Sequence, residues 1–154
     1  MPYITIKVAG PNISALQVSQ LQTGVTELMA KVLKKRKELT SVLVETLDVQ
    51  GWSIGGTPVH LAAHLDAKIT EETNTAEQKS QFIAEANALL KKVLGKHLPT
   101  ATYVVIHEVN EESWGYDGIT QGGRRPQKST RIQESLQQLW RAQFVKTGWE
   151  APLP

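Results

Sequence analysis

The group in this sequence best placed for acid–base chemistry is the nitrogen of Pro2. Proline directly follows Met1, and a small second residue of this kind lets the aminopeptidase remove the initiator methionine, leaving a secondary amine at the head of the chain. A free α-amino group titrates near pH ~8, and apolar surroundings disfavour its charged form and lower that value towards neutrality. The product is a general base and acid suited to neutral pH. If Met1 remains, the same nitrogen is a tertiary amide without basicity. The following residues supply the apolar surroundings. Ile4, Ile6 and Val8 alternate with Tyr3, Thr5 and Lys7, the period of a strand with one buried face, and Pro2 shares the parity of that face. Proline is tolerated at a strand's first residue because no ladder donor is needed there.

Other chemistries find little support. Cysteine is absent, which excludes a disulfide framework, a thiol nucleophile and a cysteine-based metal site. His60, His64, His97 and His107 lack the spacing of a metal centre. His60 and His64 share a strand face on this reading, but no carboxylate motif accompanies them, so no metal is expected. No glycine loop cradles a phosphate and no nucleophile elbow is present, Gly122-Gly123 alone being a weak signal. No cofactor is expected. Lys+Arg 17 against Asp+Glu 15 leaves a net charge of +2, too balanced for a nucleic-acid binder. The amino terminus has no basic region and apolar core of a leader, and no apolar run approaches a membrane span, so the expectation is a cytoplasmic protein with no membrane partner.

The elements that position Pro2 follow in order. Ala9-Gly10-Pro11-Asn12 is a turn, and Ser14 to Gln17 has capping-box spacing for a helix start. Val18, Leu21, Val25, Leu28, Met29, Val32 and Leu33 then recur on one helical face. Gly24 weakens this helix by about 1 kcal/mol relative to alanine. Lys34 to Lys37 is expected to end the helix and face water, as cations at a carboxyl end do. Thr40 to Leu47 reads as a second strand, which makes a βαβ unit with parallel strands. The pattern then repeats about 61 residues on. A strand over roughly His60 to Thr70 leads to a second capping box, Thr75 to Gln78. Phe82, Ile83, Ala86, Leu89, Leu90, Val93 and Leu94 form a second buried face, and Thr102 to Val109 a further strand. Trp114-Gly115-Tyr116-Asp117-Gly118 repeats Trp52-Ser53-Ile54-Gly55-Gly56. Ala63 stands where Pro2 stands in the first unit, and an internal nitrogen is an amide, so one unit alone carries the amine. Beyond Gly122 the repeat stops. A third helix is expected from Ser129 or Thr130, with Ile132, Leu136, Leu139, Trp140 and Phe144 along one stripe, followed by an extended tail.

Pro2 at the head of a strand, an amphipathic helix, a second strand and then Gly51-Trp52-Ser53-Ile54-Gly55-Gly56 resemble the 4-oxalocrotonate tautomerase family of the tautomerase superfamily. With the repeat included, the resemblance covers about residues 2 to 122 and is to a fused, two-unit member. It implies an α+β fold: two tandem βαβ units in a four-stranded mixed sheet with two helices on one face, as in macrophage migration inhibitory factor, plus a carboxyl-terminal helix. The expected organisation is one domain, 1–154, made of units 2–56 and 57–122 and an extension 123–154. The implied activity is cofactor-independent keto–enol tautomerisation of a small 2-oxo or 2-hydroxy carboxylic acid with Pro2 as catalytic base and acid, in a homotrimer. Family members hold substrate carboxylates with arginines where this chain has Pro11, Asn12, Leu43 and Tyr103. Arg124 and Arg125 are the replacements expected to bind the carboxylate. Tyr103 is expected to polarise the carbonyl, and Trp52 and Trp114 align with the family's apolar wall. Two alternatives stand beside this reading. One is a proline-dependent dehalogenase or decarboxylase, whose paired arginines are replaced here by Glu71 to Asn74. The other is a trimeric binding or scaffold protein without catalysis.

Overall fold

The computed structural model describes residues 1–125, together with Gln138 and Leu139. Met1–Gln121 forms one compact unit, and Gly122–Pro154 is a second, taken by itself. The elements of the first are β1 (Tyr3–Ala9), α1 (Ala15–Lys31), β2 (Ser41–Leu47), β3 (Ser53–Ile54), β4 (Thr57–Pro58), β5 (Ala62–Thr70), α2 (Ala76–Leu94), β6 (Tyr103–Val109), β7 (Gly115–Tyr116) and β8 (Ile119–Thr120). In the second, Gly122–Arg124 is a short 3-10 turn, and Gln138 and Leu139 are helical. The rest of the expected third helix lies outside the described residues.

Both helices start where the sequence says they do. Gln17 N–H donates to Ser14 Oγ at 3.1 Å while Ser14 N–H donates to Gln17 Oε1 at 2.9 Å. Thr75 and Gln78 make the same reciprocal pair at 3.1 and 3.0 Å. Each box satisfies two backbone donors that a helix start leaves open. The end of α1 differs from expectation. The helix stops at Lys31, before the basic run, and Lys34 takes a left-handed φ of 57°. Lys35 N–H then reaches back to Met29 O at 2.9 Å and satisfies a carbonyl that the helix end leaves open. The run Lys34 to Lys37 therefore lies in the connection to β2 and not on the helix.

The parallel pairs β1–β2 and β5–β6 are each bridged by a helix, as a parallel connection requires. Antiparallel pairing of β1 with β5 joins the two units into one sheet of order β2-β1-β5-β6. Both helices cover one face. Ile4, Ile6 and Val8 of β1 and Leu65, Ala67 and Ile69 of β5 meet Leu21, Val25 and Met29 of α1 and Phe82, Ala86 and Leu90 of α2, all buried. Full burial of a side chain such as leucine or phenylalanine contributes roughly 1.5–3 kcal/mol, so this layer is the main source of stability. Ile83, expected on the buried face of α2, is instead 42% exposed. Gly24 has a packing reason: a Cβ there would stand 2.6 Å from Leu89 Cδ1, so glycine permits the approach of α1 to α2.

Among the described residues no helix covers the opposite sheet face. There His64 Nε2 lies 2.9 Å from Asp66 Oδ2, and His107 Nε2 lies 2.6 Å from Asp66 Oδ1. Burial pushes the Asp66 carboxyl up, but the hydrogen bonds and charge of His107 and His64 outweigh it and hold the group below its ordinary value. His60 precedes β5, so the expected shared strand face of His60 and His64 does not form. Among the described residues no group of three or more His, Cys, Asp or Glu has a geometry that could hold a metal ion, and no helix is long and apolar enough to cross a membrane.

Candidate active site

Pro2 is fully buried at the head of β1, on the side of the strand that faces the helices. Its carbonyl accepts from Ser41 N–H at 3.2 Å, which fixes the start of β1 beside the start of β2. Met1, Pro2, Tyr3, Ser41, Lys68, Trp114, Gly115 and Gln121 line a cavity of about 360 Å³ at this point. The first βαβ unit thus supplies the amino terminus, and the second βαβ unit supplies one wall.

That wall is a tight hairpin. Gly115 pairs with Thr120 and Tyr116 with Ile119, while Asp117 and Gly118 take φ of 51° and 72°. Positive φ at both central residues is the signature of a type I′ turn, for which Asp-Gly is a preferred pair. Gln121 N–H donates to Trp114 O at 2.9 Å and closes the base of the hairpin. Gly115 allows the strands to meet: a Cβ there would collide with the carbonyl of Ile119. Trp114 is thereby fixed against the cavity. Its indole Nε1 is buried and makes no hydrogen bond.

Two lysines give the site its charge. Lys68, on β5 directly across from Tyr3, lines the cavity and holds its Nζ 5.5 Å from the centroid of the Tyr3 ring. Lys35 donates to Thr73 Oγ1 at 2.8 Å, and Thr73 Oγ1 donates to Thr70 O at 2.6 Å, so the ammonium is tied to the end of β5. Burial lowers the pKa of Lys35. Burial also lowers the amine of Met1, and the charge of Lys35 lowers it further. An amine at this point is neutral over more of the range near pH 7 than a free terminus and is available there to take a proton.

Of the residues expected from the sequence, Pro2 and Trp114 meet in this cavity. Trp52 is not among its lining residues; it precedes the other type I′ hairpin, β3–β4, where Gly55 and Gly56 take φ of 59° and 78°. Tyr103 pairs with His64 on the open sheet face and is 65% exposed, away from the buried side that Pro2 occupies. Arg124 and Arg125 belong to the second unit, where Arg125 N–H donates to Gly122 O at 3.1 Å. Lys35, Lys68, Ser41 and Gln121 were not singled out as site residues by sequence reasoning. Lys68 had a signal, since it matches Lys7 in the repeat; Lys35 was hidden within four successive cations.

Comparison with known proteins agrees with this architecture. The family model described as "Tautomerase enzyme" matches residues 2–62 and again 64–121, one match per βαβ unit, the first starting at Pro2. A probable tautomerase of Dickeya dadantii (strain 3937) is 43% identical over 65 residues, covering 42% of this chain and 96% of its own length. A probable tautomerase of Helicobacter pylori (strain ATCC 700392 / 26695) is 39% identical over 62 residues, covering 39% of this chain and 91% of its own. Among solved structures, Pt0534 inactivated by 2-oxo-3-pentynoate has a TM-score of 0.73 at 16% identity, over 80% of this chain and 99% of that one. A fused 4-OT solved as a symmetric trimer has a TM-score of 0.71 at 12% identity, over 80% and 99%. Another, an asymmetric trimer, has 0.69 at 21% identity, over 79% and 99%.

Proposed function

Because the chain belongs to the tautomerase family, we propose that it is a cofactor-independent keto–enol tautomerase for a small 2-oxo or 2-hydroxy carboxylic acid, with Pro2, freed by removal of Met1, as its base and acid. Family membership supports tautomerase-type chemistry. The observation that carries the finer reading is one of placement: Pro2 is buried and lines a cavity with Lys68, at a point where burial, and then Lys35, lower the pKa of the Met1 amine that precedes it. In the ketonising direction the Pro2 nitrogen takes the enol O–H proton, the oxygen electron pair forms C=O, and the former C=C pair takes the proton back at the adjacent carbon. Lys68 in the cavity and Lys35 beside the amine supply positive charge for the substrate carboxylate. Lysine acts here as a point charge, without the bidentate fork of arginine, which fits one carboxylate better than a rigidly held pair. Arg124 and Arg125 stay assigned to carboxylate binding as a second source of charge, tested by Arg124→Ala and Arg125→Ala. The fused 4-OT neighbours are trimers, and the same assembly is proposed here.

Intact mass comes first: the purified protein is expected to lack one methionine. The ketonisation of phenylenolpyruvate is then followed by ultraviolet absorbance for the wild type and for Pro2→Ala, which is expected to lose at least a hundredfold in kcat/KM. Because 2-oxo-3-pentynoate inactivates a structural neighbour, it is the probe for the amine. One equivalent is expected to label Pro2. Retention of Met1 in the native protein, or full activity in Pro2→Ala, would rule the reading out.

A further inference from the structure

We infer that Thr73 is a positioning residue for the amine: its hydroxyl clamps the Lys35 ammonium at the end of β5, beside the amino terminus. The inference rests on the tautomerase reading and deepens it, naming the group that keeps the charge of Lys35 near the base. Lys35 Nζ donates to Thr73 Oγ1 at 2.8 Å, and Thr73 Oγ1 donates its own proton to Thr70 O at 2.6 Å, a longer contact of 3.4 Å reaching Asn74 Oδ1. A hydroxyl has one proton to give, so towards Lys35 it is an acceptor. The register of β1 against β5, carried two residues back from Tyr3–Lys68, sets residue 1 opposite Thr70. The carbonyl that anchors Thr73 thus belongs to the residue facing the amino terminus. The charge of Lys35 is felt there: after burial, it is what lowers the Met1 amine.

A lysine left to itself would not stay in this place. Its flexible stem and strongly hydrated head favour water, burial strips hydration from the Lys35 ammonium, and among the described residues no carboxylate pairs with it. The other cations of the run are held elsewhere: Lys34 on Lys31 O, Arg36 on Glu38 and Lys37 on Glu27. The Thr73 oxygen is the one acceptor that Lys35 has among the described residues. Asn74 stitches the same two segments together by donating to Leu33 O at 2.9 Å, so the turn carrying Thr73 is fixed against the connection carrying Lys35. The repeat does not impose the clamp. Asn12 and Lys96 hold the corresponding places, and among the described residues they make no such bond. Lys35 acts on the amine from the α1–β2 connection. Tyr3 of β1 and Lys68 of β5 are the other titratable side chains lining the cavity, while Ser41, Trp114, Gly115 and Gln121 bring none.

Protein labelled with 15N-proline allows the Pro2 amine to be titrated by NMR, and 15N-methionine serves if intact mass shows Met1 retained. Thr73→Val keeps the outline and removes the hydroxyl. Its amine is expected to titrate at higher pH than in the wild type, because Lys35 swings out to water, by no more than in Lys35→Met. The acid limb of kcat/KM for phenylenolpyruvate is expected to move with it, with the plateau above that limb unchanged and activity at pH 7 lowered at most as far as in Lys35→Met. Thr73→Ser restores the hydroxyl and with it the wild-type titration. In the Lys35→Met background, Thr73→Val is expected to add nothing, which a change in packing around the amine would not produce. Thr73→Ala makes the same comparison should Thr73→Val not fold. A wild-type titration in these hydroxyl-free variants overturns the inference, and so does an equal shift with and without Lys35. If the wild type does not turn over phenylenolpyruvate, the tautomerase reading fails, and the amine titration still decides the clamp.

Discussion

The charge of Lys35 acts on the Met1 amine from a segment that Lys34, a residue with a Cβ, turns before β2 with a left-handed φ of 57°. Nothing in four successive cations marks which one leaves the water, and glycine, the usual signal for such a turn, is absent from Lys31 to Leu39. That is why this part of the candidate site was illegible in the sequence, whereas the burial of Pro2 at the head of β1 was legible from its place and parity alone. Lys68 was half legible, as a repeated lysine on a strand, but its meeting with Tyr3 depends on β1–β5 pairing, which no local pattern states. Lys35→Met tests the residue directly. The charge of Lys35 lowers the terminal amine, so its loss moves that pKa up towards the ordinary value near ~8. A base must be unprotonated to act, so the acid limb of kcat/KM against pH shifts to higher pH, and activity at pH 7 falls several-fold. A pH profile that does not move would show that Lys35 does not set the amine.

At the scale of elements, the capping boxes, the alternation of β1 and the two tryptophan turns were readable because each is a short-range pattern with its own physical cause. The termination of α1 and the exposure of Ile83 were not, since both follow from how elements pack. The β7–β8 hairpin is where local and tertiary demands coincide. Gly115→Ala places a methyl against the Ile119 carbonyl, so β7 must move, and Trp114 with it. We expect at least a tenfold fall in kcat/KM, together with a loss of roughly 1–3 kcal/mol in unfolding free energy measured by urea titration. Unchanged kinetics would mean that the hairpin does not position the wall.

At the scale of the whole molecule, the sheet face opposite the two helices presents exposed apolar side chains. Leu43 and Tyr103 lie on it, 42% and 65% exposed, on the two edge strands. Such residues, on a face that no helix of the described residues covers, fit burial against further copies. Light scattering is expected to give three times the mass of one chain, and Leu43→Arg, a charge set into that face, to reduce the assembly to a single chain. A wild-type monomer would rule out the proposed trimer. The sheet also joins two matching units of which just one begins at a chain terminus, because β5 is entered from β4 through residues 59–61. On the proposed reading, the repeat doubles the scaffold without doubling the amine. An active-site titrant is then expected to saturate at one equivalent for every two βαβ units, and the second unit, with no amine to supply, to serve as the wall of its sister's site.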